Sequence, residues 1–203
     1  MMKRLQALAD SHAAFRLLLA IPAIIMLWQF LFVARSWGLL LDRSGEWAIR
    51  MLIVTLAVTP IRILMKQSGM GPHWPMWLMK RRRELGMAAF LYAALHLGVY
   101  LVRQSNIHVV LFDIQYREYL VGWIAFITML ALAVTSNDAS VHRLGAWWKP
   151  LQRLAYVSAV AAALHWFWVR LDHGGLWLHF APLVLLEAYR LWYNFSRPAG
   201  ARH

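Results

Sequence analysis

The sequence predicts an all-α polytopic membrane protein, a six-helix transmembrane bundle forming one domain over residues 1–203. Three observations lead there. Hydrophobic residues make up 61% of the chain, against about 45–50% in a soluble domain, and the mean hydropathy is +0.50. Apolar runs recur along the whole length, and a run of about 20 residues crosses about 30 Å of hydrocarbon. The charged residues crowd between those runs.

The first span is expected at 15–34, opening at Phe15. A polar, basic stretch precedes it and no A-x-A site follows, so a retained helix is expected rather than a cleaved signal peptide. The second span runs over 47–65 from Trp47. The third covers 84–102, after the basic run Lys80-Arg81-Arg82-Arg83. The fourth covers 119–135 and stops at the turn-like cluster Thr135-Ser136-Asn137-Asp138. The fifth, 150–169, opens at Pro150, which suits a first helical turn. The sixth is 177–193. Strand alternation is not sustained anywhere, and a barrel would need more numerous, shorter segments.

Charge placement gives the orientation. With both termini cytoplasmic, fifteen of the 21 Lys and Arg fall inside, among them Lys3, Arg4, Arg197 and Arg202. Arg35, Arg43, Arg50, Arg103, Arg117 and Arg170 fall outside. This is the positive-inside bias, so the net charge of +12 reflects topology rather than nucleic-acid binding. Trp37, Trp47, Trp147, Trp148 and Trp177 sit near predicted span ends, as interfacial anchors do. The chain has no cysteine, which excludes disulfides, iron–sulfur clusters and thiolate ligands.

Two predicted spans each carry a histidine behind the same small residues. YAALHLGVY (92–100) holds His96 and AAALHWFWV (161–169) holds His165, with A-A-L-H common to both. His96 lies 13 residues beyond Arg83, and His165 lies 13 beyond Gln152. At 1.5 Å per residue both are about 20 Å from those inner markers. Spans three and five therefore bring two imidazoles to one depth, in the outer half of the membrane. The face of His96 is built from Ala93, Ala89 and Gly86, and that of His165 from Ala162, Ala161, Ser158 and Ala155.

Such small stripes allow close helix packing or leave a slot for a flat macrocycle. A lone intramembrane histidine bonds a neighbouring helix or marks a proton path. The matched pair favours the slot, with His96 and His165 as axial iron ligands of a b-type haem. Arg103, seven residues beyond His96 on the same face, is expected to pair with a haem propionate. No ligand spacing links the remaining histidines. His12, His142 and His203 fall in cytoplasmic or tail regions, His73 in the loop GPHWP, and His108, His173 and His179 near the outer face.

Five stretches carry a family likeness: TLAVTPIR (55–62), RRRELGMAAFLYAALHLGVY (81–100), REYLVGW (117–123), LALAVTS (130–136) and RLGAWWKPLQRLAYVSAVAAALHWFW (143–168). In order and spacing the chain resembles the MsrQ (YedZ) family. These are haem-binding membrane subunits of the bacterial periplasmic methionine sulfoxide reductase system, within the ferric-reductase-like transmembrane superfamily. The likeness covers about residues 45–193. It implies a six-helix bundle of the bacterial inner membrane. It implies electron flow from a cytoplasmic flavin reductase, through b-type haem, to a periplasmic molybdopterin-containing reductase subunit. The chain would then be an electron-transfer subunit rather than a stand-alone catalyst. The likeness carries His96 and His165 over as haem ligands, and implies an FMN contact at the inner-face pair Arg82 and Arg83.

One departure stands out. The family usually has a further histidine 13 residues before the position of His165, where this chain has Gln152. In the wider superfamily a second, inner haem lies there, at the level of Arg83 and Gln152. Arginine stays protonated and glutamine is a poor iron ligand, so one haem is expected. A flavin standing edge-on among Arg82, Arg83, Lys149 and Arg153 would bridge the inner half, because a phosphate suits that basic rim. Two other functions stay open. One is a ferric or cupric reductase acting on an external metal through His108, His173 and Asp172. The other is a haem-free small transporter or assembly factor with His96 and His165 as proton-linked residues. Lipid is an expected partner and nucleic acid is not.

Overall fold

A computed structural model describes residues 11–170 and 173–196. The expectations for Lys3, Arg4, Asp172, Arg197, Arg202 and His203 lie outside the described residues. All regular structure among the described residues is helical.

Helix α1 (His12–Gln29) starts at Ser11, whose Oγ accepts from the Ala14 amide, and continues as a π-helical turn, Phe30–Ala34. Arg35, at φ 39°, ends it in the left-handed region. Ser36 then caps α2 (Trp37–Gln67) by accepting from Leu39 N. Such a cap satisfies an amide that has no partner within the helix. Helix α3 (His73–Gln104) ends at Ser105, again left-handed at φ 51°. A short α4 (Ile107–Asp113) leads into α5 (Arg117–Val134). Asn137 caps α6 (Asp138–Leu144), and α7 (Trp148–Gln152) follows. Helices α8 (Leu154–Val169) and α9 (Gly174–Phe195) complete the described chain.

Among the described residues four helices are long and apolar enough to cross a membrane: α1 with its π-turn, α2, α3 and α5. They coincide with the first four predicted spans. Two are longer than predicted, since α2 has 31 residues and α3 has 32. The fifth and sixth predicted spans map to α8 and α9, which fall outside that group. Helix α8 has 16 residues, about 24 Å at 1.5 Å per residue. It starts at Leu154 rather than at Pro150, because the chain turns at Arg153. Helix α9 is long enough, with 22 residues, but His179, Glu187, Arg190 and Asn194 dilute its apolar character.

The most extensive packing is of α2 along α3 and of α5 along α8, and α9 covers α2. The centre is filled by Leu52, Leu56, Ala89, Met129, Ala155, Ala159 and Leu183. The small-residue stripes thus divide their work. Ala89, Ala155, Ala161 and Ser158 are buried in helix contacts, whereas Ala93 and Ala162 border open space. Ser158 also accepts or donates across the α5–α8 seam, with its Oγ 2.7 Å from Thr128 Oγ1.

Helix α1 is peripheral and is fixed to α3 at two levels. The Tyr92 hydroxyl enters the helical ladder of α1 just after Pro22. It donates to Leu19 O at 2.7 Å and accepts from Ala23 N at 3.0 Å. Lower down, Glu84 receives His12 at 2.9 Å, Arg16 at 3.0 Å and Arg81 at 3.2 Å.

Candidate functional site

Helices α3 and α8 bring His96 and His165 face to face. Their ring centroids are 6.2 Å apart and their planes cross at 82°. Each ring is held from behind by a different helix. His96 Nδ1 donates to the Leu41 carbonyl of α2 at 2.9 Å, and His165 Nδ1 donates to the Glu118 carbonyl of α5 at 2.6 Å. A carbonyl oxygen only accepts, so Nδ1 carries the proton on both rings. Nε2 is then the lone-pair nitrogen left on the side of the gap, which is the arrangement that serves metal ligation.

The separation can be tested against a metal. Metal–imidazole bonds of about 2.0–2.1 Å, with each ring centre about 1.1 Å behind its nitrogen, put two trans imidazole centroids about 6 Å apart. The observed 6.2 Å fits. Among the described residues there is no group of three or more His, Cys, Asp or Glu side chains suited to a metal. A metal bound here must therefore bring its remaining ligands with it, as an iron porphyrin does.

The two imidazoles line a cleft of about 160 Å³. Its walls are mostly apolar, from Ile49, Leu52, Leu97, Phe126, Met129 and Trp166, with Ala48, Ala93, Ala125 and Ala162 keeping it wide. The mouth is polar: Asp42, Glu46, Tyr100, Tyr119 and Arg170. Arg170 donates to Glu46 at 2.7 Å and to Asp42 at 3.2 Å. Glu46 also takes Arg50 at 3.0 Å, and Arg50 Nε donates to His179 Nε2 at 3.0 Å. The hydrogen bond to Glu46 raises the Arg170 guanidinium above its ordinary pKa. Beside this network, Asp113 accepts from Tyr100 at 2.6 Å and from Gln104 at 3.0 Å.

The sequence reading placed a propionate partner at Arg103. The structure leaves Arg103 exposed and puts Arg170, not Arg103, on the cleft wall. Arg170, the two backbone acceptors and the glycines beside the rings were missed. No local pattern announces an ion pair formed over 124 residues, as between Glu46 and Arg170.

At the opposite end the predicted flavin residues part company. Arg82 turns toward Tyr156, Arg190, Glu187 and Arg62. Arg83 is exposed and pairs with Asp138 of α6 at 2.7 Å. Its hydrogen bond holds the Asp138 carboxyl below the usual range. Lys149 and Arg153 are exposed. Gln152 Nε2 donates to Thr135 Oγ1 at 3.3 Å, beside Trp148 Nε1 on the Thr135 carbonyl at 3.0 Å. Arg190 bonds both the Tyr156 hydroxyl and Glu187. Of the histidines near the mouth, His173 stacks on Phe167 and its Nε2 meets the Phe167 carbonyl at 3.0 Å.

A family model for the ferric reductase like transmembrane component matches residues 44–163, a stretch that includes His96 and stops two residues short of His165. Similar curated proteins carry the name protein-methionine-sulfoxide reductase heme-binding subunit MsrQ. That of Rhizobium meliloti (strain 1021) is 36% identical over 162 residues, 71% of each chain. That of Ralstonia nicotianae is 36% identical over 178 residues, 84% of this chain and 74% of the relative. That of Xanthomonas campestris pv. campestris (strain 8004) is 37% identical over 166 residues, 79% and 72%.

Proposed function

Because the chain belongs to the ferric reductase like transmembrane family, we propose that it is the haem-binding, electron-transferring membrane subunit of a methionine sulfoxide reductase system. One observation carries the reading. Two imidazoles face each other at the spacing of a shared iron, each with Nδ1 committed to a backbone carbonyl. His96 and His165 would hold the haem iron. A b-type haem held there supplies a one-electron carrier.

The chain's own residues do the rest. The Leu41 and Glu118 carbonyls fix the tautomer and raise the basicity of the imidazoles. The apolar walls keep water from the site, and Arg170 at the mouth offers a cation for propionates. The opposite end would hold no second haem, because Gln152 is tied to Thr135 and Arg83 to Asp138. There an FMN would meet Arg82, with Arg83 and Arg153 on the exposed rim. In this reading α8 and α9 complete six spans, both termini lie in the cytoplasm, and the cleft mouth opens toward the periplasm. A cytoplasmic flavin reductase donates, and a periplasmic molybdopterin-containing subunit accepts.

The test is the absorption spectrum of the purified, dithionite-reduced protein together with a pyridine haemochrome count. A low-spin b-type spectrum with one haem per chain is expected. A colourless protein refutes the reading, and two haems per chain refute the single-site form of it. A direct metal reductase using His173 is disfavoured by the engagement of that ring with Phe167.

A further inference from the structure

Each imidazole rests on a glycine. An ideal Cβ built on Gly45 would lie 2.9 Å from His96 Nδ1 and 3.0 Å from its Cε1. One built on Gly122 would lie 2.9 Å from His165 Nδ1 and 3.1 Å from its Cε1. Real side chains do not approach so closely. Gly45 is on α2 and Gly122 on α5, inside helices, where glycine is otherwise disfavoured.

The carbonyl that takes each Nδ1 proton stands four residues before the glycine: Leu41 before Gly45, and Glu118 before Gly122. The spacing has a geometric cause. In an α-helix the carbonyl of residue i points toward the amide of residue i+4. A ring laid flat on the bare Cα of residue i+4 therefore has that carbonyl at its edge. A methyl group at the glycine would fill the space the ring occupies. The same device recurs in the two best-packed helix pairs, α2 with α3 and α5 with α8. The A-A-L-H repeat carries the rings, and a glycine with its carbonyl four residues earlier carries each seat.

We propose that Gly45 and Gly122 are positioning residues, each the seat that presses one imidazole onto its carbonyl and so aims Nε2 into the gap. The proposal deepens the assignment of His96 and His165 as ligands and rests on it.

The test uses G45A and G122A in the full chain, with G98A as control. Gly98 is two residues from His96 on the same helix, yet a Cβ there meets nothing within 4 Å. Two readouts are needed. In holoprotein, both seat variants should lose haem affinity, roughly the 10–100-fold typical of lost outer-shell support, or move from low to high spin. G98A should match the parent. In protein prepared without haem, ¹⁵N-histidine NMR should show the Nδ1–H form on both rings of the parent. G45A should disturb His96 alone, and G122A His165 alone. Unchanged spectra and unchanged tautomers in both variants, with melting temperatures near the parent's, overturn the proposal. So does an equal effect of G98A. A parent that binds no haem but shows the ring-specific NMR changes keeps the seats and removes the haem assignment. A haem-binding parent with indifferent glycines does the reverse.

Discussion

The two ends of the bundle share helix α3 and come out differently. At one end α3 and α8 present His96 and His165 across open space. Thirteen residues earlier in the chain stand Arg83, on α3, and Gln152, the last residue of α7. Their side chains go sideways instead, to Asp138 and Thr135. The first end is walled by apolar groups and fixed by backbone acceptors. The second is closed by ion pairs and side-chain hydrogen bonds. The facing pair of rings goes with backing: each imidazole has a fixed acceptor behind it.

The largest expected effect comes from removing either histidine of the facing pair. H96A and H165A should each abolish the low-spin Soret signature and weaken haem binding by more than the roughly 10–100-fold that an outer-shell loss costs. A normal spectrum in both would end the comparison. Next is Q152H, which restores a histidine to the opposite end. Haem should stay at one per chain by pyridine haemochrome, because the facing position is a cation already paired with Asp138. A second haem in Q152H would show that residue identity alone separates the ends.

A smaller effect is expected at the mouth. E46Q removes the charge shared by Arg170 and Arg50. The surplus positive charge disfavours the oxidised iron. The midpoint potential in a redox titration should rise by tens of millivolts, on the order of one unit charge at an effective dielectric of about 20. The smallest effect concerns Asp138, whose pKa Arg83 lowers. That pair stabilises above the unfolded carboxylate pKa, about 3.9, and the contribution fades as pH falls through the lower folded value. D138N should remove this acid-side dependence from the melting temperature while leaving the haem spectrum alone.

Hydropathy made the all-α class and the first four spans legible, since lipid tolerates few residue types over a long run. It cut α2 short. Asp42 and Glu46 look like loop, yet they are helical, with Arg170 from α8's end pairing with both and Arg50 of the same helix pairing with Glu46. Pro150 looked like the start of the fifth helix, but the turn at Arg153 gives α7 and α8 instead. The histidine pair was legible from matched spacing and a repeated tetrapeptide. What holds the rings was not, because a backbone carbonyl has no letter of its own. Gly45 and Gly122 were visible only as glycines, and nothing local says which side chain a glycine admits. Helical spacing points to Arg103 because it counts only along one helix, whereas the mouth is closed between helices.

The 82° crossing of the imidazole planes bears on electronic structure. Two parallel rings would push π density into one iron orbital and split it from its neighbour. Were a haem iron held between them, crossed rings would act on both orbitals almost equally and leave them nearly degenerate. The ferric protein should then show a strongly anisotropic paramagnetic signal, with one widely displaced resonance rather than three evenly spread ones.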